Sequence, residues 1–377
     1  MPAVKANVFT IPASAPFLPT LIAALRAGKL VPGFPANDDP LELAKLTLYL
    51  PTRRACRLAR EAFLDGLQTD AAILPRIVAL GDLDDLDEDE IAFAEAATGA
   101  LAQEALKLPA AIQPLERRLV LAEIISKWAS VIGPKDGAPL IANTPSAALG
   151  LADDLARLMD DMITRQVSWD RLDGLVPEEL GLDKYWEQSL KFLQFVHPRW
   201  RAILNESNAI EQAERRDLLI EAEAKRLASS TAPVIAAGST GSMPATAKLL
   251  ATIAKLPHGA VVLPGLDSDL DDASWAQIAG DADDKTHDGA PAAGHAQFDL
   301  HALLDRIGIS RAEVTPLVPP GAQRRERLVS EALRPAATSE RWPERTKTND
   351  VAAAADRTAS SLSLIEAANA EDEALSI

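Results

Sequence analysis

The sequence predicts an α/β fold: a parallel sheet carrying a large all-helical insertion. Three observations predict it. Near both ends of the chain, short apolar runs close at proline or glycine and pass into helical spacing, the pattern of α/β repeats. Between them, from about Ile91 to Ser230, apolar residues recur only at helical spacing. The length, 377 residues with 47% hydrophobic and 25% charged side chains, suffices for two or three soluble domains.

Val8–Ile11 is an apolar run closed by Pro12, hence a strand. Leu18, Leu21, Ile22 and Leu25 follow at helical spacing and stop near Gly28. Strand, loop and helix are the layout of a phosphate-binding P-loop. Yet Pro12–Thr20 holds neither glycine nor lysine. A Walker A loop needs glycines to wrap its backbone around phosphates and a lysine to neutralise them. The position is that of a P-loop, without its chemistry. Val31–Asp39, with its prolines and glycine, reads as a linker.

Leu46–Leu64 (LTLYLPTRRACRLAREAFL) organises the rest. Leu46–Leu50 carries no charge and reads as a buried strand, with Tyr49 in the core, and Pro51 ends it because proline cannot donate to a ladder. Thr52 can cap the next helix. In that helix Ala55, Leu58, Ala59, Ala62 and Phe63 form one apolar stripe. Arg53, Arg57 and Arg60 fall at i, i+4 and i+7 on another face, with Arg54 beside them. A helix N-terminus flanked by guanidiniums suits a phosphate. The same row also suits surface salt bridges, here with Glu61 or Asp65, and the residues alone favour that plainer use.

Ala71–Leu80 contains another strand, interrupted at Pro75. The acidic run Asp82–Glu90 lacks the spacing of a calcium loop and reads as a solvated loop entering a helix. Three apolar stripes follow: Leu119, Ile124, Ile125 and Trp128; Leu151, Leu155, Leu158 and Met162; Leu193, Val196, Trp200 and Ile203. They read as bundle core, with Pro198 expected to kink or break the third helix.

The sheet pattern then returns. Ala232–Ala237 is a strand, followed by Gly238, Ser239, Thr240, Gly241 and Ser242, and a helix through Leu249, Leu250 and Ile253. Gly259–Leu263 is the next strand, leading into Pro264, Gly265, Leu266 and Asp267. Loops at the C-terminal ends of parallel strands are where such folds bind ligands. Amides and small hydroxyls in Gly238–Ser242 could hold phosphate or sugar, although a tight turn uses the same residues. Asp267–His295 reads as a mobile surface loop, with His287, His295 and His301 solvated rather than metal-binding. Leu300–Val314 reads as a helix and loop, and Arg334–Ala359 as an aperiodic linker. Leu362–Ile365 reads as a strand before a helix from Glu371, the opening of a further domain and hence the front part of a longer protein.

The net charge of −17 argues against a free-standing, sequence-independent nucleic-acid binder, but leaves room for a local basic groove. The single cysteine, Cys56, excludes an internal disulfide and a thiolate zinc or iron–sulfur site. No clean signal peptide and no ~20-residue apolar run are present, so a cytoplasmic location with no membrane contact is expected.

Seven stretches together resemble the N-terminal portion of the AddB family, second subunits of the AddAB helicase–nucleases that process double-strand DNA breaks. LPTRRA, and GSTGSMPATAKLL with VVLPGLD, carry the resemblance most specifically; VFTIPASAPFLPTLIAAL, ILPRIVALGDLDDLDEDE, PLERRLVLAEIISKW, LLDRIGISRAEV and LSLIEAANAEDEAL support it. The resemblance implies a RecA-like, P-loop NTPase-type sheet of the superfamily 1 helicase kind. Residues 1–85 and 231–330 would form it, 86–230 a 1B-like helical insertion, 331–360 a linker, and 361–377 the start of a second helicase-like domain. It implies DNA repair and recombination as the setting, with a heterodimeric AddA motor–nuclease partner and single- and double-stranded DNA as ligands. ATP and Mg²⁺ would serve the family complex, and an iron–sulfur cluster would lie in a C-terminal part absent here. No catalytic residue, cofactor or metal is expected in this segment, because the Walker A lysine and a strand-ending Asp-Glu pair are both missing. The arginine helix matches helicase motif Ia, which touches the DNA backbone. Thr52, Arg53, Arg54 and Arg57 are therefore the first DNA-contact candidates, and Gly238–Ser242 the second. A pure scaffold without DNA contact, and an NTPase with a non-standard loop, are the rival readings.

Overall fold

Strands alternate with helices because short continuous apolar runs are bounded by proline and glycine. In this computed structural model β1 is Val8–Ile11, β2 Thr47–Leu50, β3 Arg76–Ala79, β4 Ala110–Ala111, β5 Ala209–Ile210, β6 Val234–Ala237, β7 Gly259–Pro264 and β8 Thr315–Pro316. The structure describes residues 6–36, 40–67, 73–81, 100–132, 144–174, 183–280, 289–319, 325–345, 363 and 365–376. Six strands form one wholly parallel sheet in the order β3-β2-β6-β7-β1-β8. The protein is thus α/β, as the alternating pattern requires.

The pleat sends alternate residues to opposite faces. Leu48, Leu50, Ile235, Ala237 and Val262 meet the helices Phe17–Arg26 and Arg53–Leu67. Tyr49, Val234, Ala236, Val261 and Leu263 meet Gln212–Leu227, Pro244–Ala254 and Phe298–Ile307. With both faces covered, the strands read as near-continuous apolar runs, which made them legible. Val31–Asp39 is less a linker than expected: Val31 and Phe34 are buried against the first face.

The helical body has its own core. Leu121, Ile125, Leu155, Met159, Val196 and Trp200 pack between Pro114–Ile132, Pro145–Thr164 and Asp183–Glu206. Two of the expected stripes are displaced. Leu119 and Leu158 face outward, and Met159 with Ala152 turns inward instead. Pro198 sits inside a continuous helix rather than breaking it. It lies on the exposed side, where water can reach the carbonyl it leaves, and Arg199 donates back to the Phe195 carbonyl at 2.8 Å.

The body is narrower in sequence than 86–230. Leu219, Ile220, Ala224 and Leu227 pack on the sheet, so Gln212–Leu227 belongs to the sheet's own layers. The chain enters and leaves the body through β4 and β5, which pair in parallel, with Ile112 N–H donating to the Ile210 carbonyl at 2.9 Å. Beside them Arg117 meets Asp160 at 2.8 Å and Glu211 at 3.0 Å, and the Trp200 indole N–H donates to Glu211 at 2.6 Å. Burial pushes the Glu211 carboxyl up, against the pull of Arg117.

Three further expectations change. Asp272–Ala279 is a helix within the presumed loop, capped by Asp271 through the Ser274 N–H at 2.9 Å. Residues 331–345 of the presumed linker pack down: Arg334 is fully buried between Asp271 at 2.6 Å and Glu331 at 3.0 Å. His295 and His301 are engaged, His301 stacking on Trp275 and pairing with Asp305 at 3.1 Å. His287, the acidic run Asp82–Glu90 and most of residues 346–362 lie outside the described residues. Ser363 and Ile365 are in no strand, and Ala370–Ser376 is helical.

Candidate functional site

The C-terminal ends of β2 and β6 stop side by side. Tyr49 is in register with Ala236, which brings Pro51 and Gly238 together two residues beyond that pair. Gly238 has φ +81°, and a Cβ there would stand 3.4 Å from both Pro51 Cδ and Phe17 Cε1. The space is that of ordinary contact, and it is the positive φ that calls for glycine here. Its N–H donates to the Val262 carbonyl at 2.9 Å, and Ser239 Oγ accepts from Gly241 N–H at 3.3 Å. Gly241 has φ +71° and lies against Leu303, so this turn is seated on the helix Phe298–Ile307. The turn ends at Met243, and Pro244 opens the next helix.

Across Pro51, Thr52 Oγ1 accepts from Ala55 N–H at 3.1 Å, capping the arginine helix as its residue type predicts. Cys56, Ala59 and Phe63 bury the inward stripe, which turns Arg53, Arg54, Arg57 and Arg60 to solvent. Among the described residues no ion pair engages Arg54, Arg57 or Arg60, so the pairing with Glu61 or Asp65 is not made there. The two helices on this face carry Arg26, Arg53, Arg54, Arg57 and Arg60 against Glu61 and Asp65. The excess is local and basic in a chain of net charge −17. The sequence-derived candidates Thr52, Arg53, Arg54, Arg57 and Gly238–Ser242 therefore form one contiguous edge, not two separate places.

The sequence matches no protein-family model and no curated protein.

Behind this edge stands a residue that pattern reading did not single out. Arg216, wholly buried, donates to the Leu80 carbonyl at 3.1 Å and approaches Met243 Sδ at 3.0 Å and Asp217 at 3.4 Å. It links the end of β3, the residue closing the Gly238–Ser242 turn, and the helix leading out of the helical body. Burial raises the Asp217 carboxyl to about 6, against the opposing pull of Arg216. Polar periodicity scores such arginines as surface, so only the tertiary contacts reveal it.

Two cavities lie beyond the strand ends. One, of 410 Å³, spans β1, β2, β6 and β7 at the P-loop position. Its walls are apolar, including Pro12, Phe17, Leu18, Pro51 and Pro264, and no cationic side chain lines it. Triphosphate charge would find no partner there. The other, of 530 Å³, lies past Pro12 and Gly265 and is walled partly by residues 325–333. Its polar groups come from segments the sequence marks as loop or linker, which hid it. Among the described residues no cluster of three or more metal-ligating side chains occurs, and no helix is long and apolar enough to cross a membrane.

Proposed function

We propose that this chain is a non-motor, helicase-like module of the AddB kind, which guides single-stranded DNA beside an AddA-type motor in double-strand break repair. The RecA-like reading of the sheet is part of this proposal. It is supported by a first strand inside a parallel sheet, a strand–loop–helix at its end, and a helical body inserted between β3 and β6.

One observation carries the DNA reading: an exposed arginine row and a glycine–serine turn meet at adjacent strand ends, in a chain otherwise strongly acidic. Guanidiniums suit phosphate oxygens, and the amides of a tight turn can add neutral donors. Contacts of this sort position a backbone without reading its sequence. The apolar cavity at the P-loop position supports a module that does not itself burn nucleotide, so the work of translocation falls to the partner.

The test is fluorescence anisotropy of a labelled single-stranded oligonucleotide at two salt concentrations. The protein is compared with a folded Arg54→Ala/Arg57→Ala variant. Each lost phosphate contact lowers the salt slope by roughly 0.7. A weaker, shallower-sloped variant supports the reading. Equal binding by both proteins, or no binding at low salt, would leave the scaffold role in front.

A further inference from the structure

The 530 Å³ cleft has the size of a small-ligand or side-chain pocket. Its floor is apolar, with Pro12, Ala13, Leu266 and Ala296 facing Val329 and Leu333. Its framework is already built from spent polar groups. Gln297 accepts from Asp267 N–H at 2.9 Å and donates to the Gly265 carbonyl at 3.1 Å. His295 Nδ1 accepts from Gln297 N–H at 3.1 Å, so its Nε2–H donates to the Leu333 carbonyl at 2.7 Å. The walls are therefore held without a ligand.

What is left unspent has a definite chemistry. Asp267 Oδ1 accepts from the amides of Asp269 and Leu270 at 2.8 and 2.9 Å, while among the described residues its Oδ2 has no partner. Ser330, 5% exposed, is among the lining residues, but its hydroxyl is sealed from solvent, so Asp267 Oδ2 is the polar group offered to a ligand. Among the described residues, the lining carboxylates Asp267, Asp269 and Glu326 outnumber Arg325. A carboxylate oxygen above an aliphatic floor selects an ammonium or guanidinium on an apolar stem. Val329 and Leu333 of the cleft wall remain 53% and 50% exposed, and Trp342, which is not in the lining, is 42% exposed, so apolar surface continues past the pocket.

We propose that this cleft docks a segment of a partner protein, inserting a lysine or arginine flanked by aliphatic side chains. The charged head meets Asp267, the stem lies on Leu266 and Ala13, and the flanking side chains cover Val329 and Leu333. The acidic chain favours a basic segment at long range. The site is separate from the arginine row and does not depend on DNA binding there.

The experiment uses the whole chain with isotopically labelled methyl groups. It is titrated with the peptide Gly-Ser-Leu-Lys-Val-Ser-Gly, with the same peptide carrying Gln for Lys, and with n-butylammonium. The lysine peptide is expected to shift the Val329 and Leu333 methyls saturably. Its affinity should fall roughly tenfold in Asp267→Asn, which keeps the Oδ1 acceptor and its turn while removing the charge. Val329→Ser, at a half-exposed position, should weaken it too. Absence of saturable shifts, equal binding of the glutamine peptide, or an unchanged affinity in both variants overturns the proposal. Binding of n-butylammonium as tightly as the peptide overturns the protein-segment source.

Discussion

Replacing Tyr49 by Phe removes one hydroxyl from the middle of the sheet. Tyr49 is 1% exposed, and its hydroxyl donates to Glu223 on the helix Gln212–Leu227. Glu223 is as buried, and it also receives Arg226 Nε and Nη2 at 2.6 and 2.8 Å. Burial and the adjacent carboxylate raise the Tyr49 hydroxyl's pKa, so it stays a donor. Phe keeps the ring contacts, and Arg226 keeps its pair. The loss is therefore one hydrogen bond to a charged group, about 2 kcal/mol. Urea unfolding at neutral pH, read on the transition that exposes the sheet, measures it. A second signature comes from pH. Burial pushes the Glu223 carboxyl up, but Arg226 and Tyr49 together hold it below its ordinary 4.5. A depressed carboxyl stabilises the fold above its unfolded pKa and loses that stability as pH falls through the folded one. In Tyr49→Phe the folded pKa rises toward the unfolded one, so the acid loss should be smaller and complete at higher pH. A change under about 0.5 kcal/mol with an unmoved acid limb would refute the idea that this hydroxyl satisfies the buried carboxylate.

Other outcomes follow from the same coordinates. Asp217 sits at about 6, above the ordinary 3.8, so its share of stability is complete below pH 3.8 and is lost as pH rises through 6. Asp217→Asn should flatten the urea midpoint across that window. Gly259→Ala would set a Cβ 2.0 Å from the Ile253 carbonyl oxygen, forcing the backbone apart. A cost of about 3 kcal/mol or more is expected, read as a lowered thermal midpoint. Arg334→Met strips Asp271 and Glu331 of their buried cation, at roughly 3–5 kcal/mol. Limited proteolysis should then cut within 325–345 faster than in the parent chain; an unchanged rate would mean that this segment is held by other contacts.

The sheet was legible because both its faces are covered, so β1, β2, β6 and β7 appear as apolar runs bounded by proline or glycine. The arginine helix was legible from its inward stripe, although Leu58 proves 40% exposed. The site's two halves were each readable, but their meeting was not, since it depends on β2 pairing with β6 across more than 180 residues. Charge misled most. Arg216, Glu211, Glu223 and Arg334 look like surface in a pattern, yet each is buried because a specific partner offsets its desolvation. The same fact turns a polar, aperiodic stretch after Glu331 into packed structure. Strands β4 and β5 are two residues long and have no period to read.

That two-residue ladder bears on how such a chain can change. Ala110–Ala111 and Ala209–Ile210 open and close almost a hundred intervening residues, yet Ala111 is in register with Ile210, some 5 Å away by ordinary sheet spacing. To the sheet, the whole body is one long crossover between two neighbouring strands. It can lengthen, shrink or be exchanged for another module while the six strands keep their register. Conversely, because the two strands are parallel, any replacement must be a crossover of about a dozen residues or more. Evolution could thus tailor the body to a partner or a nucleic acid without renegotiating the core that presents Arg53–Arg57.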